Sequence, residues 1–555
     1  MSPSLMTYWR TLRHLRREQI WGRLQRHLPK RPVADAPPPS LRQRRGSFAA
    51  PILRAGPIRS GSRFDFLNRS ADVTTASDWD DEGVAKLWRY NLHYFDWLRE
   101  TAAPSRIDDD SAWIDRWIAE NPPGRGTGWE PYPLSLRIVN WIVWFSTIGK
   151  TTPGRLESLA MQARYLDRSI ETHLLGNHLF VNAKALVFAG TFFAGDEAEC
   201  WRAHGLEILR AQLHEQVLSD GGHFEGSPMY HALILEDVLD LAALGVAYPD
   251  AIRAADLGLS DVVQRMHGWL ERMSHPDGDI SYFNDATFGI APTHAVLVSY
   301  ARRVGIDSDR APASAAVAMP ASGYARLSMG SIVCIFDGGR VGPDYIPGHA
   351  HADTLSFELS IGGERLITNS GTSTYDRGSE REWERGTSAH STVMIDGQNS
   401  AETWASFRVG RRPNVTPIET GETFDSAWAA CAHDGYHHLP GRPIHRRRIA
   451  VAATGVEVAD TIDGAGEHEL AGFLHVHPGI LVDAGENGSV LLTTPSGTAV
   501  KVHIEGAADV AVTQGRFAEG FGKVVARPTI AWRWRGALPH DVRTHIRIRG
   551  AGSCA

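Results

Sequence analysis

The sequence predicts a multidomain α+β protein, a helical toroid followed by an antiparallel β-sandwich, on three observations. Between about residues 77 and 300, apolar residues recur at helical spacing; beyond about 322 they alternate in short strands; and 555 residues exceed what one hydrophobic core can serve. The organisation expected is residues 1–64 as a basic N-terminal helix and linker, 65–315 as the toroid and 316–555 as the sandwich.

The first segment, LMTYWRTLRHLRREQIWGRLQRHLPKR, is basic and amphipathic and lacks the uninterrupted apolar stretch of a secretory signal. It reads as a peripheral helix whose arginines face water or acidic partners, or as a helix that docks on a membrane surface or a partner. From Pro29 to about Arg63 the chain is rich in Pro, Arg and Ser, a connector laid over the surface.

The helical half contains SAWIDRWIAE, PLSLRIVNWIVWFSTI, NHLFVNAKALVFAGTFFAG and MYHALILEDVLDLAALG. Twelve of the seventeen tryptophans precede residue 300, which suits long helices around an aromatic core or groove. In the second half, SIVCIFDGG, TLSFELSIGGERLIT and RRRIAVAATGVEVADTI alternate with period two. There Gly362-Gly363 supplies the positive φ of a tight hairpin.

Composition excludes several classes. No apolar run approaches the ~20 residues that span a bilayer. The net charge of −7, with no sustained basic patch after residue 60, argues against a nucleic-acid partner. Cys200, Cys334, Cys431 and Cys554 are too dispersed for a zinc ribbon or a disulfide framework. The GKT at 149–151 has Trp144 where a P-loop needs glycine, and neither GxSxG nor HExxH occurs. Asp220 with Glu225, or Asp353 with Glu358, are the carboxylate pairs a glycoside hydrolase would use. The oligomeric state is left open.

Four segments place polar residues where a structural sequence would place apolar ones. In GNHLFVNAK, Asn177 and His178 open a helix, Asn177 being also a natural N-cap. In DGGHFEGSPMYH a glycine-rich loop holding His223 and Glu225 delivers Tyr230 at a helix start, a common setting for functional groups. In PGHAHADT, His349 and His351 alternate and face one space. In TYDRGSEREWERGTSAH, Arg377, Arg381 and Arg385 recur every four residues ahead of His390, either to grip acidic sugars or to pair with the interleaved glutamates.

These motifs, with RYNLHYFDWL, HPDGDISYFNDATFGIAP and RGTSAHSTVMIDGQNSAETWASFRVGRR in the same order, resemble the heparinase II/III family of polysaccharide lyases, of the bacterial exopolysaccharide-cluster type. The resemblance implies an incomplete (α/α) toroid, a cleft between the domains, and β-elimination of a uronate-containing acidic polysaccharide to 4,5-unsaturated ends. It implies Asn177 as the group that neutralises the uronate carboxylate, with Tyr230 and His349 as acid and base in either order. His178, His223, Glu225 and the three arginines would contact substrate. No cofactor is required by this chemistry. Some members hold zinc in the sandwich, and His351 and His390 match two of its ligands. Asn369 stands at the third position, where an aspartate is expected and where a neutral amide binds zinc poorly. Family habit points to the periplasm, and the missing signal peptide to the cytoplasm. The competing readings are a non-catalytic polysaccharide-binding or assembly protein and a glycoside hydrolase on the same scaffold.

Overall fold

The computed structural model describes residues 4–25, 33, 36–56, 58–307, 314–485 and 488–549. The cysteine at 554 lies outside them. The helical half runs from Lys86–Tyr94 through Ile107–Glu120, Pro131–Thr147, Pro153–Asp167, Gly176–Phe192, Asp196–Gln216, Pro228–Ala247 and Leu259–Arg272 to His294–Arg303. Its organising element is Gly176–Phe192, which packs against Pro131–Thr147, Asp196–Gln216 and Pro228–Ala247. Nearly every residue of this helix is buried, so it is enclosed around its whole circumference rather than along one stripe.

Tryptophans fill the toroid interior. Trp97, Trp117 and Trp141 surround Phe95, and Trp117 meets Trp141 edge-on at 5.6 Å. The aromatic enrichment of this half is therefore core.

The connector is more than a surface strap. Ser40–Leu41 pairs with Phe193–Ala194, and Phe48 and Ile52 are buried in the toroid core. A three-stranded antiparallel sheet of Arg59–Ser60, Arg63–Phe66 and Arg69–Asp72 spans the position at which the sequence reading parts linker from toroid. Alternation puts Phe64 and Phe66 of its middle strand into the helical core.

The second half is antiparallel. A five-stranded sheet of Ala316–Met319, Tyr324–Met329, Ile332–Asp337, Phe357–Ile361 and Glu364–Ile367 packs on an eight-stranded sheet that includes Ile444–Ala452 and Gly455–Asp463. Phe336, Phe357, Leu359, Ile449 and Val458 lie in the shared core. Gly362 and Gly363 turn the hairpin with φ of 64° and 87°. A four-stranded sheet carries Val393–Ile395 beside Glu467–His475. Among the described residues, no helix is long and apolar enough to cross a membrane.

Candidate active site

The functional side chains meet where loops of the sandwich press on the open end of the toroid. The helix Gly176–Phe192 begins after a left-handed Leu175, and Gly176 is itself at φ 57°. A Cβ on Gly176 would come within 2.8 Å of Glu225 Oε1, so only glycine admits that carboxylate to the helix start. There Glu225 accepts the Asn177 N–H at 3.4 Å, one of the donors a helix N-terminus leaves open. Asn177 thus lies within the first turn and is not the N-cap. Its side-chain amide makes no hydrogen bond to the described residues. Next to it, His178 pairs with Glu171 at 3.1 Å and packs at a tilt on Tyr132, 4.4 Å between centroids. Burial alone would lower the His178 pKa, but Glu171 raises it above the ordinary value.

Tyr230 stands in the first turn of Pro228–Ala247, where Ser227 caps the helix by accepting the Tyr230 N–H at 3.1 Å. The same hydroxyl donates to the Asp285 carbonyl at 2.5 Å, tying the helix start to a loop that comes from after Leu259–Arg272. The Tyr230 ring stacks on His349 at 3.8 Å between centroids, and its hydroxyl lies 3.0 Å from that of Tyr375. Burial, followed by the neighbouring Tyr375 and Tyr132, holds the Tyr230 phenol well above its usual pKa, so it carries its proton.

Asp285 is the hub. Its Oδ2 is 2.8 Å from His349 Nδ1 and its Oδ1 is 2.8 Å from His351 Nε2. Arg381 clamps both carboxylate oxygens, and Thr372 donates to Oδ1 at 3.2 Å. Burial by itself would raise this carboxyl. Arg381 and the hydrogen bonds from the two histidines override it and hold Asp285 well below the usual range. The second nitrogen of His349, Nε2, lies 3.4 Å from Glu225 Oε2.

The three predicted arginines divide. Arg377 is exposed and, with Tyr375, Phe407 and Arg408, lines a cavity of about 320 Å³ at the cleft mouth. Arg408 is held below its ordinary pKa by burial and then by the like charges of Arg23 and Arg377, so three cations gather there. Arg381 and Arg385 are fully buried, which corrects the expectation that they grip sugar. Arg381 orders Asp285, and Arg385 donates to the backbone carbonyls of Ala350, Ala405 and Arg408. His223 is likewise behind the cleft, wholly buried and 3.0 Å from Gln216 Oε1, with burial holding it well below its usual pKa.

The expected metal set also changes. His351, Asp353 and His390 bring ligand atoms within 4.8 Å of one another. The His390 Nδ1–H donates to Asn369 Oδ1 at 3.2 Å and the His351 Nε2–H to Asp285. His390 Nε2 and His351 Nδ1 are left buried without hydrogen-bond partners, the free lone pairs a cation needs. Asp353 would therefore supply the carboxylate of a cation site, and Asn369 orients His390 through their hydrogen bond. Two neutral imidazoles and a carboxylate fit a divalent cation such as zinc.

Neither carboxylate pair considered for hydrolysis flanks the cleft. Asp220 is taken up by Ser322, at 2.7 Å from its N–H, and the buried Glu358 by His275 at 2.9 Å. Sequence reasoning missed Asp285, Tyr375 and Arg408. The signal for the first was the polar pair Asn284-Asp285 inside the otherwise apolar ISYFNDATFG.

Comparison with known proteins identifies the family. The Heparinase II/III N-terminus matches residues 62–303, and Heparinase II/III-like, C-terminal matches residues 311–549. The chain belongs to the heparinase II/III family. FtsZ-localized protein C of Caulobacter vibrioides is 27% identical over 449 residues, 75% of this chain and 74% of that protein. A heparin-sulfate lyase of Pedobacter heparinus is 28% identical over 360 residues, 59% of this chain. The match spans only 50% of that lyase. A crystal structure of heparinase III superposes with a TM-score of 0.68 at 21% identity, covering 85% of this chain and 79% of that one, which establishes the shared fold. The heparinase II/III toroid and sandwich are thus both present here.

Proposed function

We propose that this chain is a polysaccharide lyase that cleaves a uronate-containing polymer by β-elimination. The observation that carries the reading is the stacked Tyr230–His349 pair, with Asp285 behind the imidazole and the uncommitted Asn177 amide at the adjoining helix start. Donation of the His349 Nδ1–H to Asp285 leaves the Nε2 lone pair to take the proton α to the uronate carboxylate. The buried carboxylate then stabilises the imidazolium, as the aspartate does in a Ser-His-Asp triad. As that proton leaves, charge builds on the uronate carboxylate. The Asn177 amide, aided by the cationic tendency of His178, stabilises it. The C4–O bond breaks as the C4=C5 double bond forms, and the protonated Tyr230 phenol delivers its proton to the departing oxygen. Arg377 and Arg408 hold flanking acidic residues of the polymer. His351, Asp353 and His390 would hold a divalent cation and, through it, would brace the loop that carries His349.

One observation favours a second reading, a non-catalytic polysaccharide-binding or assembly protein. FtsZ-localized protein C, whose name states no activity, matches a longer share of this chain than the heparin-sulfate lyases do. The joint presence of Asn177, Tyr230 and His349 weighs against it.

The test is the ultraviolet absorbance of the unsaturated product during incubation with a panel of uronate polymers. A rise that falls by ~10²–10⁴ in rate in Tyr230→Phe and in His349→Ala supports the lyase. New reducing ends without absorbance would identify hydrolysis, and polymer binding without either would identify the assembly role. Family membership favours a periplasmic location, which fractionation of the host tests.

A further inference from the structure

Two short helices at the start of the described chain, Leu5–Leu12 and Arg17–Gln25, lie with their polar sides against the protein and their apolar sides outward. In the first, Thr7 and Thr11 are buried. Thr7 donates to Glu402 at 2.8 Å, and Thr11 accepts the Trp404 indole N–H at 3.1 Å. Leu5, Tyr8, Trp9 and Leu12, spaced i, i+3, i+4 and i+7, are between 44% and 90% exposed. The second helix repeats the arrangement. Gln19 donates inward to the Tyr345 carbonyl, and Gly22 sits so close to the toroid that a Cβ there would meet His173 at 3.0 Å. Ile20, Trp21 and Leu24 face out. This spacing ordinarily marks the stripe a helix turns to the core, and a contiguous exposed patch of it marks an interaction site.

Charge identifies the occupant. Arg10 pairs inward with Glu402 and Arg16 with Glu215, while the exposed Arg13 and Arg17 and the half-buried Arg23 stand in this segment against the single carboxylate Glu18, although the whole chain carries −7. Tryptophan and leucine on one face with arginines along its edges suit a helix lying in the headgroup region of a bilayer, where each cation also gains from anionic lipid. We infer that these two helices dock the protein on an anionic phospholipid surface, with Leu5, Trp9, Leu12, Trp21 and Leu24 entering the acyl boundary. This inference is independent of the catalytic reading. It has a geometric consequence for the cleft. Trp404, against which Tyr8 packs at 5.2 Å, pairs with Arg408 in a hairpin whose Phe407 meets the His349 ring at 6.1 Å. A docked molecule therefore holds the cleft mouth beside the membrane.

The test is co-sedimentation of the full chain with phosphatidylcholine vesicles containing phosphatidylglycerol, against phosphatidylcholine alone, at low and high salt. Binding to the anionic vesicles only, weakened by salt, is expected. Trp9→Glu and Trp21→Glu should each weaken it by roughly tenfold or more, because each withdraws one exposed aromatic side chain from the acyl boundary. Arg13→Glu with Arg17→Glu should remove the preference for anionic lipid. All four sites are exposed, so unchanged melting temperatures show that these variants remain folded. Retention of the intact chain in the supernatant, or equal binding by the Trp9→Glu/Trp21→Glu double variant, overturns the inference. So does a dimer in sedimentation equilibrium that the same double substitution dissociates, which would make a second copy the occupant.

Discussion

Asp285 Oδ2 lies 2.8 Å from His349 Nδ1, joining residues 64 apart in sequence and from opposite halves of the chain. The same carboxylate is held by Arg381 and shared with His351, so one buried anion sets the orientation of the His349 imidazole and of a candidate metal ligand. The loop that carries it also bonds directly across the junction, the Asp285 N–H donating to the His349 carbonyl at 3.0 Å.

Asp285→Asn should preserve the shape of the site while removing the charge that fixes the His349 tautomer. The expected result is a fall in kcat of ~10²–10⁴ with KM nearly unchanged, since the lost interaction acts on the transition state. Steady-state kinetics on the cleaved polymer check this, and an unaltered kcat would remove Asp285 from any positioning role.

Arg381 and Arg377, four residues apart, should behave oppositely. Arg381→Ala strands the buried Asp285 charge and should cost about 3–5 kcal/mol of stability, read by urea unfolding. Arg377→Ala lies at the exposed mouth and should leave the unfolding midpoint unmoved while raising KM for an acidic polymer.

Glu384 should make stability fall with rising pH. Burial raises its carboxyl from 4.5 to about 7, despite hydrogen bonds from the Ser373 N–H at 2.7 Å and hydroxyl at 2.5 Å. Between those two values the folded protein binds more protons than the unfolded chain, so the slope of stability with pH is negative. The loss, about 3 kcal/mol, should be complete above the folded-state value and absent below the unfolded one. Chemical denaturation across this window, comparing the intact chain with Glu384→Gln, should show the more negative slope in the former.

Zinc should raise the melting temperature of chelator-treated protein, increasingly with concentration, because binding to the folded state alone adds to its stability. His390→Ala and Asp353→Asn should each abolish that increase, whereas Asn369→Ala should only reduce it, since Asn369 touches His390 and not the ion. Differential scanning fluorimetry distinguishes these outcomes.

Much of this architecture is legible locally. The switch from helical to period-two spacing near residue 320 reflects how each half buries its side chains, and the Gly362-Gly363 hairpin follows from backbone sterics alone. Asn177 and Tyr230 stood out because each sits at a helix start, and His349 because it lies in a polar loop, where polar groups need not serve the core. Arg381 and Arg385 were legible as functional in type but not in role. Their four-residue spacing suggested a solvated face, whereas Arg381 pairs with an aspartate 96 residues away.

What the sequence by itself determined is the class of each half, the order of the two domains and the residue types able to neutralise a uronate and move a proton. What only the tertiary structure decided is which charges meet: that Asp285 unites His349, His351 and Arg381, that Asp353 rather than Asn369 stands with His351 and His390 as a candidate ligand set, and that the first two helices turn their apolar faces outward. Periodicity reports a residue's local surroundings, but pairing between buried charges depends on loops brought together from distant parts of the chain. Hydrophobic spacing reports that a face is apolar and leaves open whether it faces the core or the outside.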